Sequence, residues 1–269
     1  MKKTFKTFVI GDIHGQYSKL VKLMRGAGLV DQRLNWSGED ATLCFIGDFT
    51  DRGPDGLQSI DWIIDLQHQA TDAGGRIVAL LGNHEVLLLA AHRFGEEPLT
   101  EFGRSFTHVW LRNGGHEEDL ARLTPAQIDW ITKLPAMVQF NDTLLTHPDS
   151  VVYVTYGKSV QEVNMKVAEM MQSEAPATWD KFLYDTTLRL AFSNRDQEGN
   201  DQSEKAKHAI RDYLKTYGSR RLIHGHTPIH YMTKRSARSV TEALSYADGL
   251  CVNVDGGMYL GGPGFVHEL

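Results

Sequence analysis

The stretch "RIVALLGNHEVLLLAAH", residues 76–92, contains the pattern on which the fold prediction rests. A β-rich apolar run ends at a glycine, three polar residues follow, and an apolar helical segment begins directly after them. Burying the side chains of Asn83, His84 and Glu85 in such surroundings costs free energy unless each has a partner. The stretch therefore predicts a strand and a helix, joined by a turn whose polar groups have a partner.

The same order of strand, polar cluster and helix occurs twice earlier in the chain. The runs "TFKTFVI" (4–10) and "ATLCFI" (41–46) each end in a Gly-Asp motif and are followed by a helical pattern of apolar residues. Three later runs also end in polar residues, namely "TLLT" (143–146), "RRLI" (220–223) and "LCVNV" (250–254). Ligands of open α/β sheets bind at the carboxyl ends of the strands. We therefore expect an α/β fold, with a buried sheet flanked by helices and one site where the clusters converge.

The composition is that of an ordinary globular protein. The 269 residues are 41% hydrophobic and 23% charged, and no linker-like segment divides them. We expect a single domain over 1–269, with a helical insertion or cap at about 151–190. Within that segment, the apolar spacing of "SVQEVNMKVAEMMQ" (159–172) favours a packed amphipathic helix, although a cap would also need one.

Charge, hydropathy and cysteine content limit the partners. The formal charge of −6, from 28 basic and 34 acidic residues, argues against nucleic acid, because phosphate neutralisation needs a basic face. No apolar run approaches the ~20 residues needed to span a bilayer, and Lys6 interrupts the apolar run near residue 1. Cys44 and Cys251 lie in apolar segments and are interpreted as reduced core residues. We expect a cytoplasmic protein without a nucleic-acid or membrane partner, and the oligomeric state stays open.

The clusters together supply the donor atoms of a metal site. Carboxylate oxygens, imidazole nitrogens and an amide oxygen suit first-row cations such as Mn, Fe or Zn, whereas an all-oxygen calcium loop would not use four histidines. A central carboxylate such as Asp48 could bridge two ions. Each motif alone also has a structural explanation, for example a turn with a helix-starting Asn83. The converging residues are Asp12, His14, Asp48, Asp51, Arg52, Asn83, His84, His147 and His226.

Three motifs, in their order and spacing, resemble the signature of the phosphoprotein phosphatase family of metallophosphoesterases. They are Gly-Asp-Ile-His-Gly (11–15), Gly-Asp-Phe-Thr-Asp-Arg-Gly (47–53) and Gly-Asn-His-Glu (82–85), and the match continues through His147 and Gly-His-Thr-Pro (225–228). Looser matches, to the short bacterial and phage branch of serine/threonine phosphatases, lie at 110–115, 193–196 and 255–257. The resemblance implies the calcineurin-like metallophosphoesterase fold, a β-sheet sandwich flanked by helices with metals at the carboxyl ends of the strands.

The resemblance also implies a metal-ligand set. One divalent ion would be held by Asp12, His14 and Asp48, and a second by Asp48, Asn83, His147 and His226. Mn²⁺ is the expected metal, with Fe²⁺ or Zn²⁺ as alternatives. His147-Pro148-Asp149 stands where many family members have His-Gly-Gly, so the loop after His147 must differ, and Asp149 is either a supporting residue or exposed.

The remaining roles implied by the resemblance concern the substrate. Arg52 and Arg195 would bind the phosphate as bidentate donors, with Arg189 and Arg112 as rivals of Arg195. Asn83 would also contact the substrate. His84 would contact it too and donate a proton to the leaving oxygen, held in orientation by Asp51. Glu85 would support the loop or the start of the helix.

The function that follows is hydrolysis of a phosphoester. Two cations lower the pKa of a bridging water to about 7, so that hydroxide can attack phosphorus. We expect a serine/threonine protein phosphatase acting on phosphoproteins or small phosphoesters, with a dinucleoside polyphosphate (diadenosine tetraphosphate) hydrolase as the alternative. A nuclease is disfavoured because Pro228 stands where such relatives tend to have a second histidine. A non-catalytic binding module of the same fold is disfavoured by the intact His84 and Asp51.

Overall fold

A computed structural model describes residues 6–99, 103–195, 199 and 201–269. The strands within these residues are Thr7–Ile10 (β1), Thr42–Phe45 (β2), Arg76–Ala79 (β3), Met137–Phe140 (β4), Thr143–Thr146 (β5), Arg221–His224 (β6), Leu244–Tyr246 (β7), Cys251–Asn253 (β8) and His267–Glu268 (β9). The α-helices are Tyr17–Gly26 (α1), Gly56–Asp72 (α2), Asn83–Phe94 (α3), Phe106–Arg112 (α4), Glu117–Arg122 (α5), Pro125–Thr132 (α6), Val160–Gln172 (α7), Pro176–Thr187 (α8), Ser203–Thr216 (α9) and Ile229–Thr233 (α10). Short 3-10 helices lie at Val152–Thr155, Ala237–Ser239 and Met258–Leu260.

Two mixed sheets form the centre of the molecule. The first has the order β3-β2-β1-β9, with β1, β2 and β3 parallel and β9 antiparallel to β1. The second has the order β4-β5-β6-β8-β7, with parallel inner strands and antiparallel edge strands. All six strands expected from the sequence are present. The three additional strands, β4, β7 and β9, lie at sheet edges.

Alternate side chains along each strand face two different cores. Val9 and Val78 of the first sheet and Ile223 of the second belong to one buried apolar cluster, which lies between the sheets. Ile10 and Phe45, on the opposite face, belong to the cluster packed against the helices. This alternation is the period of two expected for strands, and each fully buried aliphatic side chain contributes about 1.5–3 kcal/mol. The expected sandwich of two sheets flanked by helices is confirmed.

The helices that follow the first strands lie close to their expected positions. The apolar spacing of Leu20, Leu23, Met24 and Ala27 predicts a helix that stops near Gly28, and α1 ends at Gly26. Pro54 predicts the start of the next helix, whereas α2 begins at Gly56 and packs against β3. Before α2 the chain turns at Asp51 and Arg52, whose φ angles are positive (67° and 65°).

The segment 151–190 contains a 3-10 helix, α7 and α8. α7 begins after Ser159, whose hydroxyl accepts a hydrogen bond from the backbone N–H of Glu162 (3.2 Å). It buries Val163 and Val167 and packs against β4, while α8 packs against α3. The expected amphipathic helix is therefore a packed element of the body of the protein.

Two further expectations concern the cysteines and membrane spans. Cys44 and Cys251 are both buried and free. Cys44 belongs to the apolar cluster between the sheets, and Cys251 to the cluster that packs against the helices. Among the described residues, no helix is both long enough and apolar enough to cross a bilayer.

Candidate active site

The polar clusters that follow the strands contain residues with a strained backbone conformation. Five residues there that are not glycine have left-handed φ angles: His14 (47°), Asp48 (53°), Asp51 (67°), Arg52 (65°) and His226 (66°). For an L-residue this conformation costs roughly 1–2 kcal/mol, and it persists only where the surroundings impose it. At this edge the backbone N–H of His14 donates to the carbonyl of Asp48 (2.8 Å). Such a concentration of strain marks a functional site.

Two glycines allow unusually close approaches within the cluster. A Cβ on Gly82 would lie 2.2 Å from Oδ1 of Asp48, and a Cβ on Gly225 would lie 2.1 Å from Oδ1 of Asp12. Both distances are far below van der Waals contact, so no other residue fits without moving a carboxylate. Glycine at these positions lets the neighbouring chain pack directly against the clustered carboxylates.

Asp48 lies between two histidines. Its Oδ1 is 3.3 Å from Nε2 of His147, and its Oδ2 is 3.5 Å from Nε2 of His14. The Nδ1 of His14 is 3.0 Å from the carbonyl of Thr50, so in a neutral ring Nδ1 donates and Nε2 carries a lone pair. A carboxylate oxygen and an imidazole lone pair repel each other unless a proton or a cation lies between them. Asp48 is therefore placed to serve two cation sites.

In the second cluster, formed by Asn83, His147 and His226, acceptor atoms also face one another. The Nδ1 of His147 is 3.0 Å from the carbonyl of Ile46, so Nε2 is left facing Oδ1 of Asn83 (3.0 Å) and Nδ1 of His226 (3.2 Å). The Nε2 of His226 in turn meets the carbonyl of Thr187 (3.3 Å). Burial disfavours a charged His147, but the charge and hydrogen bond of Asp48 outweigh it and raise the pKa of His147 to about 9. A positive charge is thus favoured at this point, and a divalent cation would supply it.

Asp12 and Asp255 add two more carboxylates to the site. Both oxygens of Asp12 accept hydrogen bonds from the backbone N–H of His226 (3.2 and 3.0 Å). Burial, followed by the charge of Asp255, raises the pKa of Asp12 well above its usual range. Burial likewise raises the pKa of Asp255 to about 6, and none of the described residues forms a hydrogen bond with its buried Oδ2. Several buried carboxylates beside one another are stable as anions only with compensating positive charge.

The donor set therefore fits divalent cations. Ligand atoms of His14, Asp48 and His84 lie within 4.8 Å of one another, as do those of Asp48, His147 and His226. All five residues are buried, and nitrogen and oxygen donors of this kind suit Mn, Fe or Zn. The cluster can thus hold divalent metal, and Asp48 belongs to both groups.

His84 has a partner on each ring nitrogen, which favours a role other than metal binding. Its Nδ1 is 2.7 Å from Oδ2 of Asp51, and its Nε2 is 3.1 Å from Nη2 of Arg52. The other oxygen of Asp51 accepts a hydrogen bond from Nε1 of Trp110 (2.8 Å). Burial lowers the pKa of His84 to about 3, with Asp48 opposing the shift and Arg52 adding to it. In this state the ring is neutral, with its Nδ1–H donated to Asp51 and its Nε2 accepting from Arg52.

Glu85 holds together the loops that carry the cluster. Its Oε1 accepts hydrogen bonds from the N–H of Phe49 (2.7 Å) and from the N–H and hydroxyl of Thr50 (3.2 and 3.3 Å). Its Oε2 accepts from the N–H of Asp48 (2.8 Å) and of Gly82 (3.1 Å). Burial and the charge of Asp48 raise the pKa of Glu85 to about 8, while the backbone donors favour its ionised form. Glu85 thus ties the loop after β2 to the start of α3.

The structure brings two arginines to the cluster. Arg52 lies over the ring of Tyr259 (4.1 Å to the centroid) as well as beside His84. Arg189 is half-buried, and its positive charge contributes to lowering the pKa values of His84 and His226. Arg195, expected as the second phosphate ligand, is exposed and donates from Nη1 to the carbonyl of Gly199 (2.7 Å). Its guanidinium is therefore turned toward its own loop, which a bridge between Arg195 and Asp201 closes.

Arg112 and Asp149 are the other residues whose positions the sequence left open. Arg112 is exposed at the end of α4. Asp149 is fully buried: its Oδ1 accepts from the hydroxyl of Thr227 (3.0 Å) and its Oδ2 from the N–H of Leu190 (3.0 Å). Asp149 thus connects the segment that carries Arg189 to the loop after β6.

Three residues at the site received no role from the sequence: Trp110, Asp255 and Tyr259. Trp110 and Asp255 lie in the looser family motifs at 110–115 and 255–257. Asp255 also follows a strand, and this signal could have assigned it to the site. Tyr259 lies in the 3-10 helix after β8, with its ring 4.8 Å from that of His14. Nothing in its local sequence indicates that contact.

The fold and the site together are those of a metallophosphoesterase. The chain belongs to the calcineurin-like phosphoesterase family, whose model matches residues 5–230. The expected membership of the phosphoprotein phosphatase family is confirmed by Shewanella-like protein phosphatase relatives. Shewanella-like protein phosphatase 1 of Plasmodium berghei is 25% identical over 227 residues, which cover 82% of this chain and 61% of that protein.

Other relatives bear different names. The symmetrical bis(5'-nucleosyl)-tetraphosphatase of a Marinomonas species is 30% identical over 145 residues, covering 52% of this chain and 43% of that protein. The cold-active protein-tyrosine phosphatase of a psychrophilic Shewanella species has a similar fold, with a TM-score of 0.70 and 20% identity over 100% of this chain and 77% of that chain. The chain spans 22% to 61% of the length of the first curated relatives that it matches.

Proposed function

We propose that this protein is a metal-dependent phosphomonoesterase that removes phosphate from phosphoserine and phosphothreonine in proteins. The observation that carries the proposal is the chain of contacts from Trp110 through Asp51 to His84, which aims Nε2 of His84 at Arg52 beside the His/Asp cluster. A phosphate at Arg52 would therefore have an oriented proton donor next to it. The phosphatase named among the relatives supports the same class of reaction.

We assign the metal ligands from the acceptor atoms that face one another in the cluster. Asp12, His14 and Asp48 would hold one cation, and the second would be held by Asp48, Asn83, His147 and His226. When bound, divalent cations polarise the phosphoryl oxygens and lower the pKa of water to about 7. Mn²⁺ is our first choice of metal, and Fe²⁺ or Zn²⁺ would suit the same nitrogen and oxygen donors.

The arginines neutralise the substrate. Arg52 is the first phosphate ligand. We assign the second to Arg189 in place of Arg195, because Arg189 is half-buried and follows Thr187, whose carbonyl is 3.3 Å from Nε2 of His226, whereas Arg195 is exposed and bonded to Gly199. A guanidinium pair of this kind binds phosphate oxygens in a bidentate manner and stabilises the charge that spreads over them during transfer.

His84 supplies the proton for the leaving oxygen. Without substrate, Arg52 donates to Nε2 of His84 and occupies the position of that proton. A bound phosphate dianion attracts the guanidinium and favours a positive charge on the ring, so Nε2 takes up a proton from solvent. That proton then passes to the alkoxide of serine or threonine. The carboxylate of Asp51 stabilises the protonated ring through Nδ1, and Trp110 keeps Asp51 in place.

A dinucleoside polyphosphate hydrolase is the second candidate. It uses the same metal centre with a different leaving group, and the Marinomonas tetraphosphatase among the relatives favours it. The two candidates differ in the alcohol or phosphate that departs, so a comparison of substrates separates them.

The test uses chelator-treated protein, to which Mn²⁺, Fe²⁺ or Zn²⁺ is added back. We expect metal-restored hydrolysis of para-nitrophenyl phosphate, and a higher kcat/KM for phosphoserine and phosphothreonine peptides than for phosphotyrosine peptides or diadenosine tetraphosphate. A preference for diadenosine tetraphosphate would replace the proposal by the second candidate. The absence of metal-dependent hydrolysis of every substrate would indicate a binding module.

A further inference from the structure

A second cavity adjoins the candidate metal centre. It has a volume of about 310 Å³, and we call it the side cavity. Arg189 connects the two places, since it lines the side cavity and lies two residues after Thr187, whose carbonyl oxygen is 3.3 Å from Nε2 of His226. Thr227, the residue after His226, lines the cavity as well. A group bound there would therefore lie next to a phosphate held at the metal centre.

Three cationic side chains line the described part of the side cavity, in a chain whose formal charge is −6. Arg189, Arg195 and Lys234 line it, and no carboxylate does so among the described residues. Lys234 lies at the end of α10 with a left-handed backbone (φ 59°), so its position is set by the helix cap. The described residues give its ammonium group no ion-pair partner, whereas other lysines, such as Lys133 and Lys166, are paired with carboxylates. Unpaired positive charge beside an anion-binding centre favours a second anion.

A pair of tyrosines joins the two places. Tyr231 lines the side cavity and is 47% exposed, and its phenol lies near that of Tyr259. Tyr259 in turn contacts Arg52 and His14 at the metal centre. Tyr231 and Met232 give the cavity an apolar side, on which the carbon chain of a substrate can pack. A small, partly apolar pocket with a few charged groups is typical of a ligand subsite.

We propose that the side cavity binds a second anionic group of the substrate while the metal centre holds the phosphate that is cleaved. The anion is either a carboxylate of a residue that flanks the phosphorylated one, or a further phosphate. This inference rests on the proposed phosphatase function and makes it more specific: the preferred substrates are acidic or multiply phosphorylated segments. Arg189 would face both anions, and Lys234 only the second.

The test measures kcat/KM of the wild type and Lys234→Gln on four substrates. They are para-nitrophenyl phosphate, a phosphoserine peptide flanked by alanines, the same peptide flanked by glutamates on either side, and a doubly phosphorylated peptide. Lys215→Gln is the matched control, because Lys215 is an exposed lysine on α9 that does not line the cavity.

We expect the wild type to prefer the glutamate-flanked or the doubly phosphorylated peptide to the alanine-flanked one. Lys234→Gln should lower kcat/KM on the preferred peptide about two- to fivefold, the effect of one solvent-accessible ion pair. It should leave para-nitrophenyl phosphate and the alanine-flanked peptide unchanged, and the preference should shrink as salt is added. Which of the two anionic peptides responds identifies the anion as carboxylate or phosphate.

Two results would overturn the subsite: no preference for either anionic peptide, or an equal loss on all four substrates in Lys234→Gln. Failure of the proposed function is distinguishable from both, because the wild type would then hydrolyse none of the phosphopeptides, or would prefer diadenosine tetraphosphate to the alanine-flanked peptide. If the wild type hydrolyses para-nitrophenyl phosphate and the alanine-flanked peptide, the phosphatase assignment is supported whatever the side cavity binds.

Discussion

The two sides of the site are built in different ways. On the side formed by the ends of β1, β2 and β3, the polar side chains are buried and bonded to one another, as Asp48, Asp51 and Glu85 illustrate. On the side formed by residues 187–234, His226 is buried, whereas Arg189 is half-buried and Lys234 is exposed. A reacting group must be held within a fraction of an ångström, whereas substrates of varied sequence need an open surface. In the proposed mechanism the first side therefore holds metal and the proton donor, and the second side, besides contributing His226 and Arg189, presents the surface that selects the substrate.

The largest effect is expected on the buried side, for His84→Asn. Loss of the proton donor should lower kcat on a phosphoserine peptide by about 10²–10⁴-fold, as measured in steady-state assays with saturating metal. The loss should be smaller on para-nitrophenyl phosphate, whose leaving group needs less protonation. Metal content and melting temperature serve as controls for folding. A loss of only a few-fold on the peptide would remove His84 from the mechanism.

The next-largest effect is expected for Arg189→Met, which is compared with Arg195→Met. Arg189→Met should lower kcat/KM on a phosphoserine peptide about 10²–10³-fold, the usual consequence of removing one hydrogen-bond donor that stabilises charge in the transition state. Arg195→Met, its matched control on the same loop region, should change it less than tenfold, because that guanidinium is exposed and bonded to Gly199. Equal losses in the two variants, or the reverse order, would restore Arg195 as the second phosphate ligand.

The convergence of the polar clusters could be predicted from the sequence because each cluster follows a strand, and most of them contain a glycine. The choice between Arg189 and Arg195 as the second phosphate ligand could not be made from the sequence. Arg189 and Arg195 are six positions apart in an irregular segment, and no local pattern indicates that Asp149 holds this segment through the N–H of Leu190, with Arg189 half-buried and Arg195 exposed. The contacts of Trp110 with Asp51 and of Tyr259 with His14 join positions far apart in the chain, so no local pattern reports them.

A smaller effect, on stability, is expected for Glu85→Gln. The amide nitrogen of glutamine cannot accept hydrogen bonds, so two or three of the donors on Phe49, Thr50, Asp48 and Gly82 lose their partner in a buried place. The free energy of unfolding should fall by roughly 2–4 kcal/mol, as measured by denaturant titration of the metal-free protein. The exposed Glu174→Gln is the control and should change it by less than about 0.5 kcal/mol. An unchanged stability would mean that Glu85 does not hold the two loops together.

The central claim is that two divalent cations share Asp48, and counting bound metal tests it most directly. Chelator-treated wild type and Asp48→Asn are dialysed against Mn²⁺, and the metal in each chain is measured together with para-nitrophenyl phosphate hydrolysis. We predict two ions per wild-type chain, activity that follows the occupancy, and loss of both metal and activity in Asp48→Asn. Full activity with no bound metal, or unchanged binding of two ions by Asp48→Asn, would contradict the account.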